Sequence, residues 1–152
     1  MKIISGGQTG ADRAGLEIAR ELGIETGGTA AQGYRTEDGP DLTLKDFGLV
    51  EHLSPRYRLR TQKNVKDADG TVIFGDTSSP GSRETLYACE RYGRPFLVNP
   101  SAGTLAAWML AHKIEILNVA GNRRSKHPTI APFVRAALVP ALEEVLRVRA
   151  LS

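Results

Sequence analysis

The chemistry in this sequence is densest near its start, where Lys2-Ile3-Ile4-Ser5 runs into Gly6-Gly7-Gln8-Thr9-Gly10 and then Ala11-Asp12-Arg13. Three glycines within five residues read as a loop whose backbone comes close to a ligand. Glycine takes positive φ freely and puts no Cβ in the way. A helix starting behind the loop aims its unpaired N–H groups and the positive end of its dipole at the same point. The pattern suits an anion, phosphate above all. It matches neither the Walker A spacing nor Gly-x-Gly-x-x-Gly, which disfavours P-loop ATP hydrolysis and nicotinamide redox chemistry.

Two further loops carry suitable residue types. Gly75-Asp76-Thr77-Ser78-Ser79-Pro80-Gly81-Ser82 offers hydroxyls and main-chain N–H groups at the start of a helix. Ala120-Gly121-Asn122-Arg123-Arg124-Ser125-Lys126-His127 supplies cations. A second basic cluster holds Arg56, Arg58, Arg60 and Lys63, and Arg60 stands four residues from Asn64 on one helix face. Glu84 falls in a first helical turn, where a carboxylate is favoured for dipole reasons alone. Asp12 either caps its helix or meets the ligand, and Arg13 reads as a surface residue. Arg35-Thr36-Glu37-Asp38-Gly39-Pro40 is either a lid bearing an acid or base, or a self-satisfied turn. His52, His112 and His127 are scattered without metal or nucleophile spacing; His127 alone lies near the expected site. No metal site is expected.

The elements that must position these residues alternate along the chain. Apolar runs at Lys2–Ser5, Thr26–Ala30, Leu49–Leu53, Thr71–Phe74, Pro95–Asn99 and Glu115–Val119 read as strands. Helical spacing covers Ala11–Leu22, Arg58–Ala68, Ser82–Tyr92, Ala102–His112 and Ile130–Val148. Runs such as Val72-Ile73-Phe74 lack alternation, as strands covered on both faces do. The expected fold is therefore α/β, a three-layer sandwich around a mostly parallel sheet. Ligands bind such sheets at the carboxyl ends of the strands, and all three loops follow strands. Gln32–Gly48 reads as one long irregular segment, more often functional than idle.

A single domain over 1–152 is expected from the length, with core enough to be stable. No run approaches a membrane span, and no leader pattern precedes the first strand. A lone cysteine, Cys89, points to a reducing compartment, hence a cytoplasmic protein. The net charge of +3, gathered in two clusters, fits a small anionic ligand better than a long polyanion. Single-strand nucleic-acid binding is the weakest reading, because no aromatic platform interleaves the cations.

Taken together, Ser5-Gly6-Gly7-Gln8-Thr9-Gly10-Ala11-Asp12-Arg13, Arg35-x-Glu37-Asp38-Gly39, Arg60-Thr61-x-x-Asn64-Val65, Asp69-Gly70-Thr71 and Leu117-Asn118-Val119-Ala120-Gly121 resemble the molybdenum carrier family over nearly the whole chain. That family belongs to a Rossmann-like group with the Lonely-guy phosphoribohydrolases and DNA-processing protein A. The resemblance implies a Rossmann-like fold and a carrier holding molybdenum cofactor, as cargo, or a nucleotide-like anion. Its partners would then be molybdoenzymes or cofactor-synthesis proteins, and the protein a homo-oligomer. Gly6, Gly7, Gln8, Thr9 and Gly10 would cradle a phosphate, with Gly81, Ser82 and Thr85 facing them. Arg60 and Arg123 would neutralise it, Asn64 and Ser125 would join them in binding it, and Arg35 and Asp38 would shape a lid.

The alternative is a nucleotide phosphoribohydrolase cleaving an N-glycosidic bond, with Glu84 or Asp38 as acid or base. Against it, the Lonely-guy motif Pro-Gly-Gly-x-Gly-Thr-x-x-Glu falls on Thr77 to Thr85 and places Thr85 where the glutamate belongs. A threonine is no carboxylate base. The family's Pro-Arg-Glu-Ser is here Asn122-Arg123-Arg124-Ser125, a more electropositive version.

Overall fold

A computed structural model describes all residues from Met1 to Ser152. In chain order it has β1 (Lys2–Ile4), α1 (Ala11–Glu21), β2 (Glu25–Ala30), β3 (Arg35–Thr36), β4 (Gly39–Pro40), β5 (Leu49–Glu51) and α2 (Tyr57–Asp67). Then follow β6 (Gly70–Phe74), α3 (Pro80–Arg91), β7 (Phe96–Val98), α4 (Ala102–Ala111), β8 (Ile116–Gly121) and α5 (Ile130–Ala150). Six strands form one sheet in the order β5-β2-β1-β8-β6-β7. Every pair in it is parallel. Helices α1, α4 and α5 pack together on one face and α2 with α3 on the other, giving the expected three-layer, Rossmann-like α/β arrangement.

Strand β6 is buried along its whole length, as its unbroken apolar run requires of a strand covered on both sides. Its one polar side chain, Thr71, stands opposite Asn118 in register and accepts from its Nδ2 at 3.3 Å. The main core of 21 residues lies under α1, α4 and α5 and includes Val134, Leu138, Leu142 and Val145 of the last helix. The α2/α3 side holds a small cluster of Val65, Ala88 and Cys89. Burial drives the Cys89 thiol up to about 11, so it is an inert packing group. No helix is long and apolar enough to cross a membrane.

Two expectations need correction. Gln32–Gly48 is not irregular throughout. The 3₁₀ turns Gln32–Tyr34 and Leu42–Phe47 flank a small antiparallel hairpin, β3–β4. Tyr34, Leu44 and Phe47 of these two turns pack in a cluster with Leu16, Ala30 and Leu49, so buried side chains fix the turns on either side of the hairpin where periodicity gives no signal. The strand expected to reach Leu53 stops at Glu51, and Leu53 itself is 91% exposed.

Candidate functional site

Strands β1, β6 and β8 end side by side, and the loops that leave them surround a cleft of about 370 Å³. Gln8 and Asp12 line it from the first loop and first helix. Tyr57, Arg58, Arg60 and Thr61 come from the start of α2, and Ser79, Pro80, Gly81, Glu84 and Thr85 from the start of α3. Ala120, Gly121, Asn122, Arg123 and Lys126 close it from the β8 loop. Four cations thus face two carboxylates, and the surplus favours an anion.

Local structure explains how α3 presents its N-terminus. Ser79 caps the helix by accepting from Ser82 N at 3.4 Å, and Pro80 occupies the first turn, where a missing N–H costs nothing. Gly81 N–H, next in line, has no acceptor in the protein. Asn122, 4% exposed, anchors the loop ahead of the helix. Its Oδ1 accepts from Asp76 N at 2.6 Å, and its Nδ2 donates to Asp76 O at 2.9 Å and Ser79 Oγ at 3.1 Å. Ser78 donates to the Asp76 carboxylate from its main-chain N–H and its hydroxyl, and so holds it below the usual carboxylate range.

The floor of the cleft is an ion pair. Arg60 Nη1 lies 3.5 Å from Asp12 Oδ2, with side chains 13% and 6% exposed. Asp12 also accepts from Gln8 N at 3.3 Å. Burial raises its carboxyl above the ordinary 3.8, against the pull of Arg60 and the loop N–H groups.

Residues 3–142 match the circularly permutated YpsA SLOG family. The chain belongs to that family. A crystal structure from Syntrophus aciditrophicus SB, named "putative molybdenum carrier protein", is 37% identical and aligns with a TM-score of 0.82, covering 95% of this chain and 94% of that one. The likeness to molybdenum carrier proteins read from the motifs therefore holds at the level of family and fold. No curated protein matches the chain.

In this SLOG chain the glycine loop differs from an open phosphate cradle. Three of its five N–H groups already have acceptors: Gly7 donates to Ser5 Oγ, Gln8 to Asp12 and Thr9 to its neighbour Gln8 Oε1. A Cβ on Gly6 would sit 1.9 Å from Arg60 Nη1, so this glycine makes room for a guanidinium. Gly7 has φ +76, and a Cβ there would meet Leu44 Cδ1 at 2.6 Å. A branched residue at Gly7 would therefore damage the fold as well as any binding. Gly10 is the N-cap of α1, and a Cβ there would stand 2.4 Å from the Asn122 carbonyl oxygen.

Of the remaining expected residues, Gln8, Arg60, Gly81, Glu84, Thr85 and Arg123 line the cleft. Thr85 donates its hydroxyl to Gly81 O at 3.1 Å, and Glu84, its neighbour on the helix, is half-buried. Ser82 is buried behind them, its hydroxyl 3.5 Å from Asn122 Nδ2. Asn64 lines neither cleft. It is 2% exposed and bonds both Thr29 N (2.8 Å) and Thr29 O (2.9 Å). β1 pairs with β2 only as far as Gly27, and the Asn64 amide takes the place of the missing strand beyond it.

Arg35 does not reach the glycine loop; it donates to Pro55 O at 3.2 Å and lies against Tyr57. Asp38 pairs with Arg124 over a second cleft, which Gly7, Thr9, Gly10 and Arg13 also line. That second cleft is self-neutralised, since Arg13 pairs with Glu17 and Asp41. His127 stacks on Phe133 outside both clefts.

Nothing in the sequence singles out Tyr57, and it places Lys126 only within a basic loop and Glu37 only within a lid or turn, with no role at the site for either. Thr9 Oγ1 and Ser125 N both donate to the Glu37 carboxylate, the latter at 3.2 Å, and Arg123 Nε stands 3.7 Å away. Burial raises the Glu37 carboxyl, but the bonds from Ser125 and Thr9 with Arg123 outweigh it, leaving it below the usual range. Ser125 thus serves the hairpin and lines neither cleft. A pair of carboxylates at a hairpin tip was the available signal.

Proposed function

We propose that this chain is a binding protein of the molybdenum-carrier type, holding a phosphorylated pterin or a nucleotide-like anion in the cleft at the ends of β1, β6 and β8. One observation carries the reading: Arg58, Arg60, Arg123 and Lys126 gather on a cleft of about 370 Å³ beside the unbonded Gly81 N–H. The volume suits a small organic ligand. Guanidinium, ammonium and main-chain N–H donors suit the phosphate end of such cargo rather than a metal. The name of the Syntrophus relative points the same way. A cytoplasmic homo-oligomer handing cargo to molybdoenzymes or cofactor-synthesis proteins is part of the same proposal.

Mass spectrometry of small molecules retained by the purified protein, with molybdenum analysis, tests it. A retained pterin phosphate or nucleotide supports the reading. An empty protein that also fails to bind added mononucleotides or phosphorylated pterin overturns it.

Glu84 supports a second reading, because it lines the cleft beside Thr85 and could serve a phosphoribohydrolase as its acid or base. The assay is release of free base from nucleoside monophosphates. General acid–base groups contribute about 10²–10⁴ in rate. Turnover by the wild type that falls this far in Glu84→Gln would put the enzyme first.

A further inference from the structure

We propose that the Arg35–Pro40 hairpin is a displaceable latch, and that Glu37 occupies an oxyanion subsite which a second charged group of the ligand takes over. The inference rests on the anion-binding reading of the neighbouring cleft. Around the Glu37 carboxylate the chain has built what a phosphoryl group needs: the Thr9 hydroxyl, the Ser125 N–H at 3.2 Å and the Arg123 guanidinium at 3.7 Å. The Glu37 side chain is 12% exposed there. Hydrogen-bond donors arranged in this way do not distinguish a carboxylate from a phosphate oxygen.

The position of the hairpin gives the latch its consequence. Gln8 and Arg123 line the cationic cleft, while Thr9 and Arg124 belong to the second one. Glu37 touches Gln8, Thr9 and Arg123, and Asp38 pairs with Arg124. The hairpin tip therefore straddles the ridge between the clefts and holds Arg123 partly neutralised.

The hairpin is also built to move. Each strand has two residues and pairs with nothing else, and a two-stranded hairpin is marginally stable by itself. Gly33 (φ +72) and Gly39 (φ +99) bracket the tip with no neighbouring atoms in the space a side chain would need.

The test compares Glu37→Gln with wild type by calorimetric titration of inorganic phosphate and pyrophosphate. Glutamine keeps the shape and removes the competing charge. The latch predicts that pyrophosphate binds Glu37→Gln about tenfold more tightly than wild type, and that phosphate gains less. If Glu37 only braces Arg123 and the β8 loop, the same change weakens or spares pyrophosphate binding, and the latch is overturned.

If neither protein binds either anion, the anion-binding reading falls together with the latch. Binding that is equal in both proteins sinks the latch alone. Amide hydrogen exchange of wild type gives a second readout, independent of how the variant folds. Saturating pyrophosphate should speed exchange at Glu37 N–H, which donates to Gln8 Oε1 at 2.9 Å; protection that persists at saturation overturns the latch.

Discussion

Replacing Arg60 with alanine strips the partner from Asp12, a carboxylate that water barely reaches. The charges stand 3.5 Å apart with side chains 13% and 6% exposed. An effective dielectric near 20 makes their gross attraction about 5 kcal/mol. Against this, Arg60 Nε is buried with no acceptor, and losing such a donor returns about 1–3 kcal/mol. The expected net loss of stability near pH 7 is thus about 2–4 kcal/mol, in line with the cost of breaking buried pairs.

The loss should depend on pH in a definite direction. Burial already lifts the Asp12 carboxyl above 3.8, and Arg60 opposes the rise, so the variant's carboxyl rises further. A native state that keeps a proton the unfolded chain has released loses stability as pH increases. The deficit should be small near the unfolded value of 3.8, grow as pH climbs through the raised native value, and then level off. Urea midpoints at pH 4 and pH 7 measure it, with Asp12→Asn/Arg60→Ala as the rescue. A deficit that is flat with pH, or a double variant no more stable than the single one, would refute the reasoning.

Arg123→Ala should weaken anion binding about tenfold, as loss of a charge-assisted contact does. Arg149→Ala should leave binding unchanged, since Arg149 bonds Ile114 O and Glu115 where β8 begins, at the opposite end of the sheet; titrations that fail to separate the two variants would move the site elsewhere. Asn64→Ala orphans both Thr29 N and Thr29 O and should cost about 2–4 kcal/mol in urea unfolding. A loss below about 1 kcal/mol would show that the strand end does not need the Asn64 amide.

All five helices and all six strands of the main sheet could be read from the sequence because period and punctuation agree there. Ser79-Pro80 and Ser101 mark helix starts by their chemistry, and both serines cap as such residues do. The site was less legible. Arg60 and Asn64 share a helix face at i, i+4 spacing, yet one reaches Gly6 and the other Thr29. Spacing fixes a face, and side-chain length and partner decide the role.

The glycine loop shows a similar ambiguity. A missing Cβ admits a phosphate or a guanidinium equally well, and here Arg60 fills the space at Gly6. The role of Glu37 could not be read from its place in the lid segment because its partners, Thr9 and Ser125, lie 28 and 88 residues away.

The place of β8 between β1 and β6 bears on how the protein comes into being. Until the last third of the chain is available, the sheet consists of two unconnected halves, β5-β2-β1 and β6-β7. Both halves expose the edges that β8 will later join. Pairing over such sequence distances is slow, because a large loop must close before any contact rewards it, and open strand edges invite aggregation meanwhile. The strand that ends this wait also delivers Asn122, Arg123 and Lys126 to the cleft. A partly made chain therefore has no competent site, and acquiring ligand affinity during synthesis should coincide with completion of the sheet.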